Sequence, residues 1–357
     1  MPETQPDVYA VIMAGGSGTR FWPASRNKKP KQFLAIASER PLIEETFDRL
    51  EGTVATENIL VVTGAAHASE VLTALPRLPE ANLLIEPSAH NTLPCAALAA
   101  FEIRRRSPRS IQILLPADHV IRPRERFQAT LQAGVDVARR EACIVTFGIR
   151  PDHAATGYGY IQTGRAEAEA LGEPVHHVEA FHEKPSAERA QSYLDSGDYL
   201  WNSGIFVWDS ECFHGELERL APTIHSRLEG VPWDACETAY DGLPSVSIDV
   251  GLAEKVQGTR VLPIDYTWSD VGSWSALFEV LDGDGDGHRN AGGGTVASVE
   301  SEDCVVFGPK GHVTALVGVK DLVVVHTEGA TLVCPRDRAQ EVRAAVDRVR
   351  ETDPELL

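Results

Sequence analysis

No two of the chain's six cysteines (Cys95, Cys143, Cys212, Cys236, Cys304, Cys334) fall in a C-x-x-C spacing. A disulfide framework or a cysteine zinc site is therefore not expected, and the thiols read as reduced and mostly buried. The histidines, including His176 and His177, show no metal spacing either. Positive charge is in deficit: 33 Lys and Arg face 52 Asp and Glu, a net −19. Such a chain repels phosphate backbones and anionic lipid, so neither a nucleic acid nor a membrane is an expected partner. Residues Met1 to Asp7 lack a basic segment, and the apolar run that follows is too short for a signal peptide or a membrane helix. A cytoplasmic protein is expected. The apolar fraction of 43% is ordinary for a soluble globular chain, and 357 residues suit one large domain plus a smaller one.

What is present is a phosphate loop of unusual form. The run Val8–Met13 reads as a buried strand, and Ala14-Gly15-Gly16-Ser17-Gly18-Thr19-Arg20-Phe21-Trp22-Pro23 leaves it directly, with Lys29-Pro30-Lys31-Gln32-Phe33-Leu34 close behind. Glycines at a strand exit let the backbone bend and turn its N–H groups toward an anion. No Lys-Ser or Lys-Thr follows, so this is not a P-loop; Phe21 stands where the dinucleotide fingerprint needs its third glycine. Arg20 offers a bidentate fork and Lys31 a mobile point charge. The layout points to chemistry on a nucleoside triphosphate.

Strand patterns at Val8–Met13, Ile59–Thr63, Leu83–Ile85, Ile111–Leu115 and Cys143–Phe147 alternate with helical patterns at Pro41–Leu50, His67–Leu75, Thr92–Arg106 and Glu125–Arg140. Such alternation predicts βαβ units, with ligands beyond the carboxyl ends of the strands. Both the glycine loop and Asp118 follow strands, so both belong on that rim. Strands are also expected at Tyr158–Gln162, Val175–Glu183 and Leu200–Trp208, and a helix over Gly272–Leu281. The segment Asp282–His288 mimics an EF-hand loop, but Gly293 stands at the twelfth position where a glutamate is needed; a flexible acidic linker is expected instead. Short strands recur at Thr295–Val299, Cys304–Phe307, Val313–Val317, Leu322–His326 and Thr331–Cys334, before a final helix over Arg336–Arg350.

The stretch Gly15–Leu34, with G-S-G-T-R-x-W-P and P-K-Q-F-L, resembles the signature of the sugar-1-phosphate nucleotidyltransferases, in particular their mannose-1-phosphate guanylyltransferase branch. Further segments agree in order across nearly the whole chain: Glu86-Pro87, Asn91-Thr92, Leu115–His119, Thr156–Ile161, Glu183-Lys184-Pro185, Trp201–Phe206, Trp268–Trp274 and Val319–Val325. His90 departs from the pattern, which commonly carries Arg there; it reads as a loop histidine.

The resemblance implies a Rossmann-like α/β nucleotidyltransferase domain with a mixed, mostly parallel sheet over residues 1–281, and a small left-handed β-helix-like domain with a final helix over 291–357. It implies transfer of GMP from GTP to α-D-mannose 1-phosphate with magnesium, by a homodimer. Because the chain ends near residue 357, transferase activity without an isomerase domain is expected. Arg20 and Lys31 would stabilise charge at the α-phosphate and the leaving pyrophosphate. Gly15, Gly16, Ser17, Gly18 and Thr19, with Glu86, Asn91 and Thr92, would bind the nucleotide. Asp118 and Asp270 would hold the metal; a helix N-cap is the alternative for each, and for Asp118 also a carboxylate satisfied in a turn. Gly159, Glu183, Lys184 and Asn202 would bind the sugar phosphate. The bland alternatives are a β-bulge at Gly159, an exposed Glu183–Lys184 pair at a strand end and a structural buried Asn202. The same chemistry on another sugar or base, or a non-catalytic subunit that binds a nucleotide sugar, are the rival readings; the second should lack some of Arg20, Lys31, Asp118 and Asp270, and all four are present.

Overall fold

A computed structural model describes residues 7–16 and 18–356, leaving Ser17, expected on the nucleotide, outside the described residues. Strands β1 (Asp7–Met13), β2 (Ile59–Gly64), β3 (Leu83–Glu86) and β4 (Ser110–Pro116) pair in parallel, and a short strand, β5 (Val120–Arg122), lies outside their sheet. The main sheet is completed by β6 (Ile144–Ile149), β7 (Tyr160–Ala170), β8 (Glu173–His182), β9 (Tyr199–Asp209) and β10 (Arg260–Ile264). Its order is β3-β2-β1-β4-β9-β6-β10-β8-β7. The sheet is mixed: parallel pairing covers its first four strands and the β10–β6 pair, whereas β9 runs antiparallel to both β4 and β6.

The central strands are apolar on both faces because helices cover both. Successive side chains of a strand point to opposite sides. In β1, Ala10 and Ile12 join a core with Phe47, Val71 and Leu131, from helices α1 (Leu42–Arg49), α2 (Ala68–Ala74) and, after α3 (Thr92–Arg106), α4 (Arg124–Glu141). Tyr9 and Val11 join the opposite core with Leu98 of α3 and Phe213. The three-layer stack fixes the carboxyl ends of β1 and β4 side by side, in the register Met13↔Pro116.

A third core ties the glycine loop to the end of the chain. Phe21, Trp22 and Trp274 pack with Val305, Val323, Val342 and Val346. The C-terminal strands stack in parallel coils, Thr295–Val299 on Val313–Val317 and Val305–Phe307 on Leu322–Thr327, with Ala330–Pro335 added antiparallel, in a β-helix-like arrangement. Three expectations change. The helix expected over Gly272–Leu281 is reduced to a 3-10 turn, Trp274–Ala276, and one turn of α-helix, Leu277–Val280, because Val271 has a positive φ of 43° and Ser273 is extended. The final helix opens as a 3-10 segment, Arg336–Glu341, and is α-helical over Val342–Thr352. The acidic segment is a tied turn instead of a loose linker: the Asp284 carboxylate accepts from the N–H groups of Asp286 (3.0 Å) and His288 (2.9 Å), and buried His288 accepts from the Cys304 N–H.

Candidate active site

Lys31 is the hub of the site. Its ammonium donates to Asp118 Oδ2 at 2.8 Å and to the backbone carbonyl of Asp270, drawing together groups 87 and 239 positions away in sequence. Lys31 is only 6% exposed, so its stem is held by packing. The loop Gly18–Phe21 closes over it. Gly18 has φ +56°, and a Cβ there would lie 2.6 Å from Lys31 Cβ and 2.8 Å from Lys31 N. Only glycine fits both the left-handed backbone and the close approach. Gln32 and Thr63 anchor the strand exit by donating to the Ala14 carbonyl at 3.1 and 3.0 Å. Gly15 and Gly16 face open space and are exposed.

Gly18→Ala is expected to cost about 1–2 kcal/mol through its backbone alone. The added methyl must also push Lys31 away, and a shift of that kind is expected to cost roughly 10²-fold in kcat. Steady-state kinetics with a melting curve check this; a Gly18→Ala variant with unchanged kcat contradicts the packing argument.

Around Lys31 a cavity of about 330 Å³ is lined by Thr19, Arg20, Asp118, Asp270 and Arg343 among others. A larger cleft of about 930 Å³ adjoins it, lined by Tyr158, Lys184, Glu279 and Arg336, and shares Arg20, Asp270 and Gly272 with the first. Burial opposes ionisation of Asp118 most strongly, but the Lys31 charge and hydrogen bond, with His119 and a backbone hydrogen bond, together outweigh it and hold the carboxyl below its ordinary range. Neighbouring His119, buried edge-on to Trp268, is pushed down to about 4 by desolvation and is neutral. Tyr158 donates to Asp270 Oδ1 at 3.2 Å; burial and that carboxylate raise its phenol.

The other expected residues lie in two groups. Glu86 ends β3, accepts from the Tyr240 hydroxyl, and is raised by burial. Asn91 caps α3 by accepting from the Thr92 N–H at 2.8 Å, and the Thr92 hydroxyl accepts from the Ile248 N–H at 2.8 Å. These bonds leave the Asn91 amide N–H groups and the Thr92 hydroxyl proton as their free donors. In the second group, Glu183 and Lys184 form an ion pair, and Lys184 has φ +45°. A Cβ on Gly159 would lie 2.8 Å from Glu183 Oε2, so the glycine makes room for that carboxylate. Asn202 donates through its backbone N–H to the Gly159 carbonyl at 2.8 Å and through its amide to Asp249 Oδ1 at 2.9 Å.

Asp249, Tyr158 and Arg343 belong to the site although the sequence reading did not assign them. Asp249 had one visible signal, a lone carboxylate among apolar residues between Ile248 and Leu252. Arg343 had none, since only the packing of the chain's end on the loop brings it in. Desolvation and the nearby Glu183 carboxylate push Asp249 up to about 6. A folded-state value above the unfolded one means that stability is greatest when the group is protonated and is lost as pH rises through about 6. The isosteric Asp249→Asn is therefore expected to raise the melting point at pH 8, by an amount equivalent to roughly 1–3 kcal/mol, and to change little at about pH 3.5, below the unfolded value of 3.8. Equal shifts at the two pH values would contradict this.

Glycines, two cations and two carboxylates stand at the rim of an α/β sheet, the groups that a phosphate-transfer site requires. The family model described as nucleotidyl transferase matches residues 9–286, and one described as the MannoseP isomerase/GMP-like beta-helix domain matches 294–349. The chain belongs to the nucleotidyl transferase family. Relatives include the mannose-1-phosphate guanylyltransferase of Escherichia coli (strain K12), 38% identical over 97% of this chain and 74% of that protein. Salmonella typhimurium ManC, named mannose-1-phosphate guanylyltransferase, is 39% identical over 97% of this chain and 74% of its own length. Among solved structures, a Thermus thermophilus protein described as mannose-1-phosphate geranyltransferase has a TM-score of 0.87 at 33% identity, covering 96% of this chain and 99% of that one.

Proposed function

We propose that this enzyme transfers GMP from GTP to α-D-mannose 1-phosphate, giving GDP-mannose and pyrophosphate. The observation that carries the reading is Lys31, held in the smaller cavity between Asp118 and the carbonyl of Asp270, a residue that lines both cavities. The smaller cavity suits the triphosphate and the larger cleft the sugar phosphate. A phosphate oxygen of the acceptor bonds to the α-phosphorus, the bridging bond to the β-phosphate breaks, and pyrophosphate leaves with that electron pair. The attacking oxygen is already an anion, so no general base is needed; the residues must align two anions and neutralise charge. Arg20, which lines both cavities, and Lys31 do this at the α-phosphate. Backbone N–H groups of Gly15, Gly16, Gly18 and Thr19 cradle the phosphates, and Ser17 belongs to the same binding set.

Two carboxylates in one cavity are a hard-oxygen set that fits magnesium, whose remaining ligands come from phosphate and water. No cluster of three or more acidic, histidine or cysteine ligands exists among the described residues, in keeping with a metal shared with substrate. Bound there, magnesium would neutralise charge on the transferring group. Glu86, steadied by Tyr240, offers a carboxylate that matches the paired N–H donors of guanine, which adenine lacks on that edge. Glu183, Lys184, Asn202 and the backbone at Gly159 serve the sugar phosphate. The reading includes a catalytic unit over 1–281, a C-terminal unit over 291–357, a homodimer and a cytoplasmic location. In support of the last, all six cysteines are free. No helix among the described residues is long and apolar enough to cross a membrane.

Turnover across the four nucleoside triphosphates and a panel of sugar 1-phosphates tests the function. GTP with mannose 1-phosphate should give the highest kcat/KM. Preference for another pair would replace the assignment, and absence of pyrophosphate release with every pair would leave only binding.

A further inference from the structure

Three cations line the smaller cavity: Arg20 and Lys31 from the N-terminal loop, and Arg343 from the C-terminal helix Val342–Thr352. Lys31 is already bonded to Asp118. Without Arg343, the two N-terminal cations would only balance Asp118 and Asp270. A nucleoside triphosphate needs more positive charge than that, even with a divalent ion. Most arginines near Arg343 are neutralised: Arg336 pairs with Asp321 at 2.7 Å, Arg338 with Glu341 at 2.5 Å and Arg350 with Asp347 at 2.6 Å. Arg343 is exposed and, among the described residues, has no carboxylate partner.

Its position is fixed by packing. Val342 and Val346 are buried against Phe21 and Trp22, the residues that follow the glycine loop. Trp22 Nε1 donates to the Leu356 carbonyl at 3.1 Å, and Trp274 Nε1 donates to the Trp22 carbonyl at 3.1 Å. Loop and helix thus form one packed body across the cavity. The two cavities meet at Arg20, Asp270 and Gly272, and Arg343 lines only the smaller one. In an in-line displacement the leaving group lies opposite the acceptor.

We propose that Arg343 binds the β- and γ-phosphates of the donor, and so the departing pyrophosphate, making the C-terminal helix part of the catalytic machinery. This rests on the transferase reading above. The guanidinium fork contacts the pyrophosphate as it leaves with the electrons of the bridging oxygen.

The test is steady-state kinetics of the full chain in both directions, for Arg343→Ala, Arg343→Lys and Arg348→Ala. Arg348 is exposed on the same helix and lines neither cavity. Loss of one charge-assisted contact is expected to raise KM for GTP, and for pyrophosphate in reverse, by roughly 10–100-fold. KM for mannose 1-phosphate and GDP-mannose should change less than about 2-fold, lysine should recover part of the loss, and Arg348→Ala should match the wild type. Unchanged pyrophosphate KM in Arg343→Ala overturns the proposal, as does an equal rise for all four substrates with a lowered melting point. Thermal stabilisation by magnesium pyrophosphate reads the contact without turnover and should be lost in Arg343→Ala. If the wild type fails to make GDP-mannose, the transferase reading falls, while the pyrophosphate shift still decides whether Arg343 holds that anion; retention of the shift in Arg343→Ala overturns the proposal.

Discussion

With Asp118 or Asp270 replaced by asparagine, GMP transfer is expected to slow by about two to three orders of magnitude while the protein stays folded. Asparagine keeps the size and the hydrogen-bonding oxygen but removes the charge that holds a divalent ion. The two variants should differ in stability. Asp270 holds Lys31 through its backbone carbonyl, which the substitution leaves intact. Asp118 holds Lys31 through its carboxylate, so Asp118→Asn also loosens the lysine. The melting point should therefore fall more in Asp118→Asn. Measurement of kcat at saturating magnesium, with a melting curve for each variant, checks both parts; near-normal rates in both would remove the metal assignment.

Lys31→Met is expected to cut kcat by roughly 10²–10³-fold, a loss in the range seen when one charge-stabilising donor is removed. Methionine fills much the same volume without the ammonium. The Asp118 carboxylate then loses the partner that offsets its burial, at about 1–3 kcal/mol of stability. Lys31→Arg should not rescue the rate, because the guanidinium is longer and planar, whereas the backbone and Cβ of Lys31 are pressed against Gly18. Single-turnover rates for the three proteins check this. Recovery by arginine would show that charge alone matters and the fixed geometry does not.

Much of this architecture is visible in the chain itself. Helix α3, expected over Thr92–Arg106, spans those residues, because Asn91 caps it and Ser107 ends it in an extended conformation. The strand before the glycine loop and the strand before Asp118 are legible as apolar runs, and their pairing in parallel is what a βαβ succession requires. The antiparallel insertion of β9 between β4 and β6 is not legible, since an apolar strand carries no mark of its direction. The Gly272–Leu281 segment reads as a helix by composition, yet Val271 and Ser273 adopt non-helical backbone where the chain carries Asp270 into the cavity. Residues that act through long-range packing are the hardest to read: Tyr158 reaches Asp270 over 112 positions, and Asp249 reaches Asn202 over 47.

Whether Asp118, Asp270 and Lys31 meet around one metal and one phosphate is decided by a crystal structure of the full chain with magnesium, mannose 1-phosphate and a non-hydrolysable GTP analogue. A divalent ion bonded to carboxylate oxygens of both Asp118 and Asp270 at about 2.1 Å is expected, with the α-phosphate within hydrogen-bonding reach of Lys31. A triphosphate bound away from Lys31, or an ion that touches neither carboxylate, would contradict this arrangement.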